Sequence, residues 1–206
     1  MMDSFEHYTP TMTTILSRRS LRRYQTKPIP ENVIWQILKA GHWAPSAHNR
    51  QPWRLAVIQS ASAKEQLARA MGARLRSDLE HDQVPEDVIV KDVNRSYDRI
   101  TSAPVLILLC LSMVDMDSYP DEQRNTNEWV MAVQSTAMAG QNMLLAAHDA
   151  GLGACWMCAP LFCPDVVRDT LALPPDWQAQ GMLTIGYPAQ ERQKSRRPLE
   201  DFVLWR

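Results

Sequence analysis

No glycine-rich phosphate loop of the G-x-G-x-x-G type occurs in this chain, which has only seven glycines in 206 residues. A phosphate bound here is therefore not held in the Rossmann manner. Charge of one sign is also missing. With 22 Lys and Arg against 23 Asp and Glu, the formal net charge is -1, which argues against a general nucleic-acid binder. Long apolar runs are absent: the longest, Ala103–Leu111, is broken in kind by Pro104, and a bilayer-spanning helix needs roughly 20 such residues. Met1–Thr14 lacks the basic start and apolar run of a signal peptide, so a cytoplasmic location and no membrane partner are expected. Cysteines number four, at 110, 155, 158 and 163. Cys155-x-x-Cys158 with Cys163 beyond invites a metal or redox reading, but no second pair or nearby His completes a ligand set. Buried, reduced thiols and no metal are the expectation.

Length favours one domain over 1–206, large enough to fold without disulfides or metals. The first helix is expected over 11–18, ending in arginines. Glu31–His42 follows, with Val33, Ile34, Ile37, Leu38 and Gly41 at helical spacing. Leu55–Ile58 reads as a strand. Ser62-Ala63-Lys64-Glu65 reads as a capping box opening a helix to about Glu80. Asp87–Thr101 is a charged helix, and Ala103–Leu111 a strand buried on both faces. The longest helix is expected from about Asn125 to Ala150, with Val130, Val133, Ala137, Gly140, Met143, Leu144 and Ala147 as its apolar stripe. Its small residues (Ala132, Ala137, Ala139, Gly140) suit a core helix or a helix–helix dimer seam. Gly151-Leu152-Gly153 ends it. Strands at Ala154–Met157 and Gly181–Tyr187 flank a helix at Pro164–Leu171, and the tail is basic at Lys194, Arg196 and Arg197 before turning apolar.

Two stretches carry the chemistry. Arg18–Tyr24 reads R-R-S-L-R-R-Y. Guanidinium forks match phosphate oxygens two at a time, and cations at a helix end complement its dipole, which accounts for one or two of the four arginines. Ala44–Trp53 reads A-P-S-A-H-N-R-Q-P-W, a polar loop whose amide side chains can read the edges of a planar heterocycle. Together they suit a phosphorylated aromatic cofactor.

With G-L-G-A-C-W at 151–156 and K-S-R-R-P at 194–198, these motifs stand in the order of the nitroreductase family, which the chain resembles over nearly its whole length. The resemblance implies an α+β fold, a small mixed central sheet wrapped by helices, with a C-terminal segment reaching the partner of a homodimer that binds FMN at its interface. Carried over residue by residue, Arg18, Arg19, Ser20 and Arg22 are similar to the phosphate and ribityl ligands, and Lys194 and Arg196 to a second basic arm. Pro45, Ser46 and Asn49 resemble residues supplied by the partner subunit along the isoalloxazine ring. Trp156, Met157 and Cys158 match the loop beside the ring's reactive side.

The implied activity is an FMN-dependent transfer of reducing equivalents from NADH or NADPH to an electron-poor acceptor (nitro compound, quinone or enone) in ping-pong fashion. Flavin hydride chemistry asks for no catalytic side chain, so His42, His48 and Tyr119 are at most substrate contacts, Trp53 a core anchor and Arg23 a solvated charge. The segment Cys155–Pro160 lacks the acidic residue of many nitroreductases. With Tyr119–Asp121, G-L-G-A-C-W resembles the FMN-binding domain of deazaflavin-cofactor glutamyl ligases more closely. A dedicated reductase of a biosynthetic intermediate such as a deazaflavin precursor, or a flavin-binding module without turnover, are the alternatives. Ser20 stands where relatives that break FMN down to dimethylbenzimidazole have Asp, which counts against that activity.

Overall fold

Strand β2, Val105–Leu111 (VLILLCL), has no charged or hydrogen-bonding side chain apart from one thiol, and all seven residues are buried. Such a strand needs apolar cover on both faces, and the chain provides it. The computed structural model describes residues 8–206; the beginning of the Met1–Thr14 segment, read above for a signal peptide, lies outside the described residues. β2 is flanked by β1 (Trp53–Ile58) and β4 (Gln178–Gly186), and β3 (Gly153–Met157) closes the other edge in the order β1-β2-β4-β3. All three strand pairings are antiparallel. The sheet is therefore antiparallel where a mixed one was expected; a parallel pairing occurs as an isolated bridge between Ser20 and Ala154, outside the strands, at the β3 edge.

Among the described residues six α-helices wrap the sheet: α1 (Pro10–Ser17), α2 (Glu31–His42), α3 (Ala61–His81), α4 (Glu86–Thr101), α5 (Glu122–Asp149) and α6 (Pro164–Thr170). Side chains alternate across a strand, so β2 feeds two cores. Val105, Ile107 and Leu109 pack with Ile34 and Ile37 of α2 and Met143 and Ala147 of α5. Leu106, Leu108 and Cys110 pack with Leu67, Met71, Ile100 and Val167 beneath α3, α4 and α6. The register slips between Leu109 and Cys110, a bulge that admits one extra residue of β4.

Several expectations shift. α3 is capped by Ser60, whose Oγ accepts from Ala63 N–H at 3.4 Å, and not by Ser62. The two serines lie in a local polar pair, Oγ to Oγ 2.8 Å, and the extended backbone at Ser60 selects it as the cap. α5 begins three residues before Asn125 because Asp121 accepts from Arg124 N–H at 2.9 Å, while the Asn125 side chain holds Tyr119 N–H and C=O at 2.8 Å each. Gly151, at φ 73°, ends α5, with Leu152 N–H donating to Ala147 O at 2.8 Å.

On α5 the expected stripe is only partly buried. Ala132, Ala139, Gly140, Met143, Leu144 and Ala147 face the core, but Val130 and Ala137 are exposed. A helix of 28 residues overhangs the four-stranded sheet, so its apolar spacing serves two faces. Trp129 and Met138 of the same helix are exposed as well. Among the described residues, no helix is long and apolar enough to cross a membrane.

Candidate active site

Where α1 stops, the chain runs along the β3 edge. Leu21 N–H donates to Ala154 O at 3.0 Å, and the Leu21 side chain fills the space over Gly153, where a Cβ would lie 3.0 Å from Leu21 Cδ1. This docking fixes the arginine segment against the sheet. Arg18, the residue after α1, has its Nη1 buried with no hydrogen-bond partner. Its pKa is lowered, first by burial and then by repulsion from Arg196 and Arg19. An unpaired buried donor costs roughly 1–3 kcal/mol, more when charged. Such a group among like charges fits an anion with several oxygens, and phosphate meets that need.

The remaining basic residues divide. Arg19 Nη1 donates to Leu16 O at 2.6 Å and Arg18 O at 2.9 Å, closing the C-terminus of α1 as the dipole argument expects. Arg196 lies within electrostatic reach of Arg18. Lys194 is exposed and makes no ion pair or hydrogen bond among the described residues. From the last turn of α5, His148 joins the cluster, its Nε2 2.8 Å from Ser17 Oγ. The one proton of Ser17 goes to Thr13 O at 2.7 Å, so Ser17 Oγ accepts from His148 Nε2–H. Burial, then Arg18 and Arg19, hold the His148 pKa below its ordinary value.

Farther along β3, a cavity of about 340 Å³ is lined by Arg22, Trp156, Met157 and Cys158, with Arg95 and Arg99 of α4 across from them. Trp156 borders it, but the indole packs between Gly140 and Gly181. Cys158 is exposed, and Cys155 and Cys163 are buried. Burial raises the Cys155 thiol pKa, while Arg22, Arg99, Arg192 and Arg18 pull it down. Among the described residues, no group of three His, Cys, Asp or Glu is placed to hold a metal.

Pro45, Ser46 and Asn49 lie elsewhere. Ser46 Oγ accepts from Gln51 N–H at 3.0 Å, and Ala47 N–H donates to Ser135 Oγ of α5 at 3.3 Å. His48, Asn49 and Gln51 all adopt positive φ (49°, 55° and 51°), a conformation that costs residues with side chains about 1 kcal/mol or more. Ion pairs Arg50–Asp117 and Arg54–Asp115 brace the loop. It precedes β1 at one edge of the sheet, whereas the Arg18–Arg22 segment lies beside β3 at the opposite edge. Three strand spacings, roughly 14 Å, separate those edges.

Trp53 is buried, with His42 edge-on at 6.3 Å. His42, His48 and Arg23 are exposed, and the Arg124 guanidinium sits 4.7 Å from the Tyr119 ring centre. Sequence reasoning missed Arg95, Arg99 and His148. The four-residue spacing of the two arginines on α4 was the available signal.

The sequence model of the Nitroreductase family matches residues 15–187. A Thermus thermophilus protein named NADH dehydrogenase is 30% identical, over 94% of this chain and 95% of its own length. A solved structure from Desulfovibrio desulfuricans, described as a nitroreductase in complex with FMN, superposes with a TM-score of 0.75 at 30% identity, covering 97% of this chain and 98% of that one. A BluB-like flavoprotein of Clostridium difficile shares the fold with a TM-score of 0.79 at 22% identity, over 96% and 99% of the two chains. With sheet, helices and motif order agreeing, this chain belongs to the nitroreductase family.

Proposed function

We propose that the protein is an FMN-dependent oxidoreductase that takes reducing equivalents from NADH or NADPH and passes them to an electron-poor small molecule. Nitro compounds, quinones and conjugated alkenes are the acceptor classes, and donor and acceptor visit one site in turn. The single observation behind this reading is the buried, unpartnered Nη1 of the half-buried Arg18, which Arg196 and Arg19 repel, a setting that suits the phosphate of FMN. The FMN complex of the Desulfovibrio relative supports the same cofactor.

In this reading Arg18, with Arg196 and Lys194, holds the phosphate, and Ser20 lies along the ribityl chain. Met157 and Cys158 flank the ring, and Trp156 fixes their position from below. FMN, when bound, supplies the two-electron chemistry. Arg22 sets a fixed positive charge at the edge of the ring pocket, which favours negative charge there. Arg19 is assigned to the end of α1.

The active species is a homodimer of single-domain chains, in which Pro45, Ser46 and Asn49 reach the ring of the partner's site. Support comes from their separation from Arg18 within one chain and from uncovered apolar surface. That surface includes Trp129, Val130 and Met138 on α5 and Phe202, Leu204 and Trp205 in the tail. A groove of about 670 Å³ between α2 and β1, walled by Trp35, Leu38, Leu55 and Val57, suits the apolar tail of a second copy. A cytoplasmic location, where nicotinamide donors are available, goes with this activity.

The test is the visible spectrum of the purified protein, followed by NADPH and then NADH without oxygen. A yellow protein that bleaches within seconds is the expected result. Protein that cannot take up FMN, or flavin that neither donor reduces, overturns the reading.

A further inference from the structure

Beside the ring pocket opens a second cavity of about 610 Å³, and the two share Arg22, Arg95 and Arg99. Arg23, Lys91 and Arg192 complete a wall of six cations, and Asp98 is the acidic residue among them. Asp92, on the ring-pocket side, is engaged by Arg95 at 2.7 Å. The side chains of Arg22, Arg23, Lys91, Arg99 and Arg192 make no ion pair or hydrogen bond among the described residues. Arg99 is partly desolvated, and repulsion from Arg22 and Arg95 adds to the strain on its charge. Five of the six cationic side chains thus have no carboxylate partner, the sixth, Arg95, being held by Asp92, and such an excess of positive charge in a concave site suits an anion. In the reading above the cofactor phosphate is held by Arg18, Arg196 and Lys194 where α1 ends, which leaves Arg23, Lys91, Arg95, Arg99 and Arg192 without a role.

We propose that this groove binds an anionic group, carboxylate or phosphate, carried by a substrate whose planar part lies in the ring pocket. The proposal rests on the function proposed above and names the substrate class. Arg95 and Arg99 stand four residues apart on α4, hence on one face of the helix, and both border both cavities. Each can fork onto paired oxygens. The anion comes from one of two sources: a carboxylate on the acceptor or the phosphates of the nicotinamide donor.

The oxidised FMN-loaded protein is titrated with 4-nitrobenzoate and with nitrobenzene, reading the flavin difference spectrum, which needs no turnover. In parallel, stopped-flow reduction compares NADH with the uncharged donor 1-benzyl-1,4-dihydronicotinamide. Wild type is expected to prefer the charged member of at least one pair by about tenfold or more, the scale of one charge-assisted hydrogen bond. That preference should shrink at high salt and fall towards parity in R95Q/R99Q.

A preference confined to 4-nitrobenzoate identifies the acceptor as the source; one confined to NADH identifies the donor. Equal behaviour of both pairs in wild type overturns the proposal, with no variant needed. Failure of the protein to hold FMN is visible before any titration and overturns the functional reading instead. Calorimetry of 4-nitrobenzoate against nitrobenzene on the FMN-free protein then decides the groove by itself.

Discussion

The indole of Trp156 occupies the space in which a side chain at Gly181 would stand: a Cβ there would lie 2.5 Å from Trp156 Cζ2. Gly140 of α5 is equally tight on the other side, 2.2 Å from Cζ3. Two glycines thus seat the residue that leads into Met157 and Cys158. Gly181→Ala should cost roughly 1–3 kcal/mol through overpacking, measured by urea denaturation, and should weaken FMN retention as Trp156 shifts. Gly72→Ala is the contrast. A Cβ there meets only Val93 at 3.4 Å, inside a helix where Ala is favoured over Gly by up to about 1 kcal/mol. It should be neutral or stabilising.

Arg18→Gln separates a phosphate role from a packing role. If Arg18 grips the phosphate, the variant loses at least tenfold in FMN affinity while riboflavin affinity stays unchanged, both read by fluorescence quenching. The FMN-free variant should be no less stable than wild type, because it sheds a half-buried charge that has an unpartnered Nη1 and is repelled by Arg196 and Arg19. Equal losses for FMN and riboflavin would remove the phosphate assignment.

Helix α2 was legible in the sequence at both ends, since Pro30, the first-turn Glu31 and the Ile34–Ile37 spacing are local signals and the helix packs as one stripe. β2 was legible for a similar reason: an uninterrupted apolar run has one place to go. What escaped depends on distant partners. Val130 and Ala137 have core-like spacing, but nothing local tells how far the sheet reaches beneath α5. Ser60 and Ser62 compete as caps, and only backbone conformation decides. Arg95 and Arg99 read as surface charges on a polar helix until β3 delivers Trp156 and Met157 opposite them. The arginine segment was legible as an anion site, but Arg19's part in closing α1 depends on geometry that composition does not carry.

Lys64 ties α3 to the turn that feeds β2, its Nζ donating to Ala103 O at 2.7 Å and Pro104 O at 3.4 Å. Lys64→Met leaves those carbonyls without their donor and should cost about 1–3 kcal/mol, with FMN retention intact. Burial lowers the Lys64 pKa from 10.5. The unfolded chain therefore holds the proton more tightly, and the desolvation cost is fully present below the folded pKa. It is relieved as pH rises towards 10.5. Wild-type stability relative to Lys64→Met should accordingly rise across that alkaline interval; a flat difference would show that the ammonium is solvated.

His148 reports on the anion site from the protein side. In the FMN-free protein its pKa lies below 6.5 through burial and the charges of Arg18 and Arg19. Between the folded and unfolded values the unfolded chain binds the extra proton, so stability is full above about pH 6.5 and declines as pH falls through that interval. His148→Gln should remove that part of the acid slope. Bound phosphate reverses the local field, because an anion beside Arg18 favours the imidazolium. The His148 ring-proton titration, followed by NMR, should therefore move to higher pH on adding FMN and, more weakly, inorganic phosphate, and should not move with riboflavin. A shift with riboflavin as large as that with FMN would mean that the ring, and not the phosphate, lies against Arg18.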